Sequence, residues 1–273
     1  MIRRVYILCV VAILGIGAMR GVDFTKESLN YQIVYHWGLI WKHAANATLE
    51  IKDVGQKYDA RLCARTLSWV DNVYRVRDTL YTTIEKTHFT PIKYVKATHE
   101  KNHIGKDIVE FQRQGGITTG YCTRIRPGKD DFHVNLSADR NAYDMLSVFY
   151  MLRRLDMEEL KSKGTYSTTV FSGKRKERLD IKYVGEENIK LRDKSRHDAY
   201  HIKFSFTEEG KTKSSDDIDT WISKDDARIP LMLRGSLPIG EVRVYFSKYK
   251  IKKKKILFTD VVLLKFRCLA TFG

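Results

Sequence analysis

Tyr31-Gln32-Ile33-Val34-Tyr35-His36-Trp37, then Gly38-Leu39-Ile40, then Ala45-Asn46-Ala47-Thr48-Leu49-Glu50-Ile51-Lys52 is the stretch that decides the fold class. Side chains alternate between faces along an extended chain, so Tyr31, Ile33, Tyr35 and Trp37 fall on one face of a strand. Ala45, Ala47, Leu49 and Ile51 alternate in the same way with Asn46, Thr48, Glu50 and Lys52. Two amphipathic strands in succession, joined by a short segment, are the unit of an antiparallel sheet.

The same period runs outward along the chain. Candidate strands are 58–67, 78–85, 92–98, 107–112 and 117–124, then 166–171, 177–184, 199–206, 219–223, 229–234 and 241–247. Turn residues separate them at Asp53-Val54-Gly55, Gln114-Gly115-Gly116, Pro127-Gly128, Ser172-Gly173, Glu208-Glu209-Gly210 and Pro238-Ile239-Gly240. One segment departs from the pattern. From Asn141 to Lys163, Met145, Leu146, Phe149, Leu152 and Leu155 recur at helical steps, with Asp139 or Asn141 as candidate cap and Gly164 as the stop. A long β meander either closes into a barrel or needs cover for its open face. The expected fold is therefore mainly β: a strongly curved antiparallel sheet or open β-barrel with one central α-helix at about 141–163.

The ends of the chain carry different signals. Arg3 and Arg4 precede an uncharged apolar run from Val5 to Ile16, and Gly15, Gly17 and Ala18 offer small residues for cleavage. This is the layout of a secretory signal peptide at 1–20, and it predicts export. Cys9 lies inside the apolar run, which argues against lipid modification of a new N-terminus. Residues 21–250 read as a single β-rich domain, and 251–273 as a basic, then apolar, tail. That tail holds Asp260, Lys265 and Arg267, too many charges for a membrane-spanning helix.

The net charge of +16 invites a nucleic-acid partner. Its distribution argues otherwise. Residues 248–273 contribute eight basic residues against one acid, and the excess over the rest is spread thinly. No nucleic-acid partner is expected. The basic tail predicts peripheral contact with an anionic membrane surface. Cys63 and Cys122 are candidates for one disulfide in an oxidising compartment, with two free thiols as the competing reading.

Motifs for chemistry are weak. His99-Glu100-Lys101-Asn102-His103 spells the zinc-protease pattern, which needs both histidines on one helical face. Strand patterns flank it on both sides, so a polar hairpin loop is expected. His197 and His201 read as solvent-facing residues on a strand. Asp216, Asp217, Asp219, Asp225 and Asp226 read as turn acids around Trp221 without calcium-loop spacing. No phosphate loop or nucleophile elbow is present, and neither an enzyme nor a cofactor is expected. The aromatic residues Tyr35, Trp37, Trp41, Trp69, Tyr150 and Trp221 are the candidate lining of an apolar cavity, with plain core packing as the competing reading.

Taken in order, several stretches carry a resemblance: Leu29 to Ile33, Trp37 to Ile40, Ala45 to Ile51, Val76-Arg77-Asp78, Phe89-Thr90-Pro91, Asp144 to Arg153, and Thr220 to Pro230 leading to Gly240. Together they resemble the domain-of-unknown-function 3108 family of exported bacterial proteins over roughly residues 22–249. The resemblance brings no activity and no catalytic residues. The Trp221 segment is more distantly similar to the strand of LolA- and LolB-type lipoprotein carriers, which implies a half-open barrel that holds acyl chains. The leading expectation is a non-enzymatic protein of the periplasm or envelope of a Gram-negative bacterium. It would bind a lipid or lipoprotein in a concave β surface. The alternatives are an envelope scaffold with a self-filled barrel and a protein partner, and, on the His99 motif alone, a metal-dependent hydrolase.

Overall fold

The structure, a computed structural model, describes residues 22, 24–237 and 239–249. The signal segment expected at 1–20 and the tail at 251–273 lie outside the described residues.

A first antiparallel meander runs through β1 (Lys26–Trp37), β2 (Ile40–Asp53), β3 (Lys57–Thr66), β4 (Arg77–Glu85), β5 (Pro91–Glu100), β6 (His103–Gln114), β7 (Ile117–Ile125) and β8 (Phe132–Ala138). A short helix, α1 (Ser68–Tyr74), interrupts it between β3 and β4. The chain then makes β9 (Ala142–Tyr143), α2 (Ser147–Arg154) and α3 (Met157–Lys163). A second antiparallel meander follows: β10 (Thr165–Phe171), β11 (Lys176–Lys190), β12 (Arg196–Glu208), β13 (Ile218–Ser223), β14 (Pro230–Ser236) and β15 (Glu241–Tyr249). Because β15 pairs with β1, both meanders belong to one sheet of fifteen strands, with β8 at one end and β9 at the other.

Chain connectivity dictates the shape. The two end strands are separated in sequence only by residues 139–141. Four chain steps reach at most about 14 Å. Fifteen strands laid flat at a spacing of ~4.8 Å would be about 67 Å wide. The sheet must roll up, and it forms a nearly closed barrel. Side chains seal the seam. Phe111 of β6 stacks on Phe171 of β10 with ring centroids 5.7 Å apart. Gly120 of β7 makes room for the same ring, since a Cβ there would lie 2.6 Å from it.

The helix expected over 141–163 is present in two pieces. Ala142 and Tyr143 pair in parallel with β10 instead of starting a helix. Asp156 then divides the helical remainder, because its side chain accepts hydrogen bonds from the Glu158 and Glu159 N–H groups and starts α3 afresh. Gly164 ends α3 as expected, at φ 74° with its N–H on the Leu160 carbonyl. Asp144, not Asp139 or Asn141, serves the first turn of α2. Its buried carboxylate accepts from the N–H groups of Leu146 and Ser147 and from the Thr82 hydroxyl.

Two apolar clusters meet on α2. Leu146 and Tyr150 join Leu29, Leu49, Ile51, Ile84 and Val109 of the first meander. Val148, Met151 and Leu152 join Leu179, Ile181, Ile202 and Ile222 of the second, together with Met157 and Leu160 of α3. Each fully buried side chain of this kind contributes about 1.5–3 kcal/mol. A buried ion pair fixes the helix further. Arg153 donates to both carboxylate oxygens of Glu27, at 2.5 and 2.8 Å, and to the Ala227 carbonyl. Strand β1, helix α2 and the β13–β14 loop are thereby tied at one point.

Candidate functional site

Antiparallel connectivity sends alternate turns to opposite ends of the barrel. One end receives the β1–β2 turn, α1 and the β14–β15 turn. The other receives the β2–β3 turn around Gly55, the β6–β7 turn at Gly115-Gly116 and the β11–β12 turn at Arg192 to Ser195. The first end also receives the charged β5–β6, β7–β8, β10–β11 and β12–β13 turns, so its apolar and aromatic character is local to the β1–β2 turn, α1 and the β14–β15 turn.

The β1–β2 hairpin builds the centre of the apolar end. Trp37 pairs with Ile40 and His36 with Trp41, leaving Gly38 and Leu39 as the turn, with Gly38 at φ 55°. Leu39 is 99% exposed, Trp37 is 54% exposed, and Ile40 and Trp41 stand beside them in solvent. Since β15 pairs with β1, the β14–β15 turn lies alongside. Its Ile239 is 63% exposed, and the Tyr35 hydroxyl donates to the Ile239 carbonyl at 3.0 Å. Gly240 is required here: at φ 79°, a Cβ would meet the His36 carbonyl oxygen at 2.3 Å. Helix α1 adds Trp69, Val73 and Tyr74, all exposed.

Polar contacts hold these aromatic rings in place. The His36 ring stacks on Trp41 at 3.7 Å, and the Arg243 guanidinium covers Trp41 at 4.5 Å. Glu241 binds both partners, with His36 Nδ1 at 2.9 Å and Arg243 Nε at 2.5 Å. Burial pushes the Glu241 carboxyl up, but these hydrogen bonds outweigh it and the group lies below its ordinary value. The Trp69 Nε1–H donates to the His43 carbonyl at 2.8 Å, and the Lys42 ammonium sits 3.9 Å over its ring. Two tryptophans are thus oriented, each with a cation on its face.

The six aromatic residues expected to line one cavity divide between this end and the interior. Tyr35, Trp37, Trp41 and Trp69 come together at the exposed end. Tyr150 is fully buried on α2, with its hydroxyl on the Glu50 carbonyl at 3.3 Å. Trp221 is buried among β11–β13. The expected face Tyr31-Ile33-Tyr35-Trp37 does not run straight, because the β1–β2 register shifts between Ile33 and Val34. Ala44 of β2 is the skipped residue, and burial along β1 changes phase beside it, with Tyr31 and Val34 buried, Tyr35 half-buried and Trp37 exposed. A depression of about 510 Å³ across β1–β5 is lined by other residues, among them Lys26, Lys52, Arg61 and Tyr81. A second, of about 490 Å³, lies at the seam among Lys96, Asp107, Arg124, Arg126 and Lys174.

The zinc-protease pattern is a hairpin turn. Glu100 pairs with His103, Lys101 takes φ 46°, and the Glu100 carboxylate accepts from the Tyr74 hydroxyl at 2.8 Å. His201 departs from its expected solvent-facing place. It is buried and stacks on Trp221 at 4.5 Å, with Glu187 and Asp219 oxygens each 2.7 Å from its ring nitrogens. Asp219, read as a turn acid, is likewise buried and paired with Arg234 at 2.8 Å. Burial pushes its carboxyl up, and the bonds to Arg234 and His201 outweigh this and hold it below the ordinary value. Cys63 and Cys122 are both free thiols.

Comparison with known proteins agrees with this fold. Residues 30–247 match the model of a family described as "Protein of unknown function (DUF3108)". No curated protein matches the chain. Among solved structures, a β-barrel-like protein of the domain of unknown function DUF1849 from Brucella abortus is similar at a TM-score of 0.59 and 10% identity. The alignment covers 85% of this chain and 100% of that one. At that identity the likeness concerns the fold alone. The barrel-like architecture fits the half-open barrel expected from the carrier resemblance.

Proposed function

The chain belongs to the DUF3108 family, which is defined without a function, and we propose on that footing that it is a non-enzymatic interaction module of the cell envelope. In this reading the barrel is filled by its own helix and works through its aromatic end. The observation that carries it is the contrast between the two. Tyr150 and Met151 are fully buried inside, while Leu39, Ile239 and Trp37 stand in water outside. A carrier would need free apolar volume where α2 is packed. An exposed cluster of large apolar side chains is costly to keep soluble and marks an interaction surface. The envelope assignment rests on the basic-then-apolar start of the chain, Arg3 to Ile16.

Two measurements test this. A photo-reactive residue at position 39 in living cells is expected to capture a recurrent species, and one at Val54, on the opposite end, is not. The native mass of protein purified without detergent is expected to equal its denatured mass. A stoichiometric lipid released only on unfolding would make the barrel a carrier and overturn the proposal.

A further inference from the structure

We infer that the aromatic end docks on an anionic lipid surface, with the β1–β2 and β14–β15 turns entering the interface; this rests on the docking role proposed above. Shape is the first argument. Leu39 and Ile239 sit on adjacent hairpin turns and project from the barrel end. A protein partner must supply a fitted pocket for each such side chain, whereas lipid accepts a projecting apolar group without complementary shape. The order of chemistry behind the tips is the second argument. Aliphatic side chains come first, then the indoles of Trp37, Trp41 and Trp69, which suit the boundary between acyl chains and water. Cations stand on those indoles: Arg243 on Trp41 and Lys42 on Trp69. Charge is the third. The basic excess is concentrated in residues 248–273 and modest over the rest, so attraction of this end to an anionic surface comes from Lys42 and from Arg243, the latter shared with Glu241. Each cation brought near such a leaflet strengthens binding roughly fivefold.

The test is co-sedimentation of the full-length protein with vesicles of phosphatidylcholine alone and of phosphatidylcholine mixed with phosphatidylglycerol. Wild type is expected to bind the mixed vesicles, to bind the neutral ones at least about tenfold more weakly, and to lose affinity with added salt. Tryptophan emission should shift to the blue on binding. Leu39→Asp is expected to lower partitioning about tenfold or more with an unchanged melting curve, since the side chain packs on nothing. Val54→Asp, at the opposite end, should bind as wild type. The tail after residue 250 is common to all three proteins, so Leu39→Asp binding like wild type would assign any lipid affinity elsewhere and overturn the inference. Failure of wild type to bind mixed vesicles would overturn it too. If position 39 then still captured one recurrent protein, the docking role would stand with a protein partner. If it captured nothing, both readings would fall.

Discussion

Replacing Arg153 by methionine tests whether the interior helix is locked in place. Arg153 is 1% exposed and its partner Glu27 is 8% exposed. The pair is bidentate, and the Ala227 carbonyl takes two further donors from the same guanidinium. Methionine fills similar space but leaves the Glu27 carboxylate buried without its partner. Breaking a buried pair from one side costs about 3–5 kcal/mol. Spread over a domain of this size, that lowers Tm by roughly 6–20 °C. The double variant Glu27→Leu/Arg153→Met removes both charges. Only the Ala227 carbonyl then loses its partner, a penalty of about 1–3 kcal/mol. The double variant should therefore be more stable than Arg153→Met alone. Urea titration followed by far-ultraviolet circular dichroism measures all three proteins. A loss below about 1 kcal/mol in the single variant, or a double variant less stable than the single, would refute the claim that this pair anchors α2.

Gly120→Ala forces a Cβ to within 2.6 Å of the Phe171 ring, which is fully buried and stacked on Phe111. It should destabilise the protein by about 1–3 kcal/mol in the same titration, and an unchanged midpoint would deny that the seam is closed. Burial pushes the Glu85 carboxyl up, but hydrogen bonds from His88 and Thr87 outweigh it and hold the group at about 2, against an ordinary 4.5. Its contribution to stability is therefore complete above pH 4.5 and lost as pH falls toward 2. The gap between wild type and Glu85→Gln should be constant above that window and shrink inside it; a gap independent of pH refutes the assignment. Burial raises the Cys122 thiol to about 11. Alkylation mapped by peptide mass at neutral pH should label half-buried Cys63 and spare Cys122 until the protein unfolds. A Cys63–Cys122 peptide would contradict the structure.

The strands were legible because one face of each is buried. In β2, Ala45, Ala47, Leu49 and Ile51 alternate with exposed or half-buried polar partners, and the structure buries all four. Strand β8 was overlooked although its period is present: Phe132, Val134, Leu136 and Ala138 alternate with His133, Asn135 and Ser137, and the structure buries Leu136 and Ala138. Helix α1 was hidden because none of its residues is buried, so no apolar stripe marks it. The register shift at Ile33/Val34 is invisible in composition, yet burial along β1 changes phase beside it. The His201 cluster was out of reach because its members come from three strands. Only the pairing of His201 with Trp221 and with Gly185, two residues before Glu187, brings them together.

Connectivity limits which surfaces of this barrel can serve a partner. Sheets commonly recruit partners by adding a strand at an open edge. Here both edges belong to strands joined by residues 139–141 and drawn together at the seam, and β9 has only two residues to offer. The concave face is the usual second choice, but α2 divides its side chains between both apolar clusters and fills it. The outer face and the two ends remain. Of the ends, the one at Gly55, Gly115 and Gly116 exposes only single apolar side chains on separate turns, Val54 and Ile117. The other spends large apolar side chains on the apices of two neighbouring hairpins. Folding does not require Leu39 to be leucine, because it packs on nothing. Under the proposed docking role the use for leucine there lies outside the barrel, and position 39 is where a partner should first be sought.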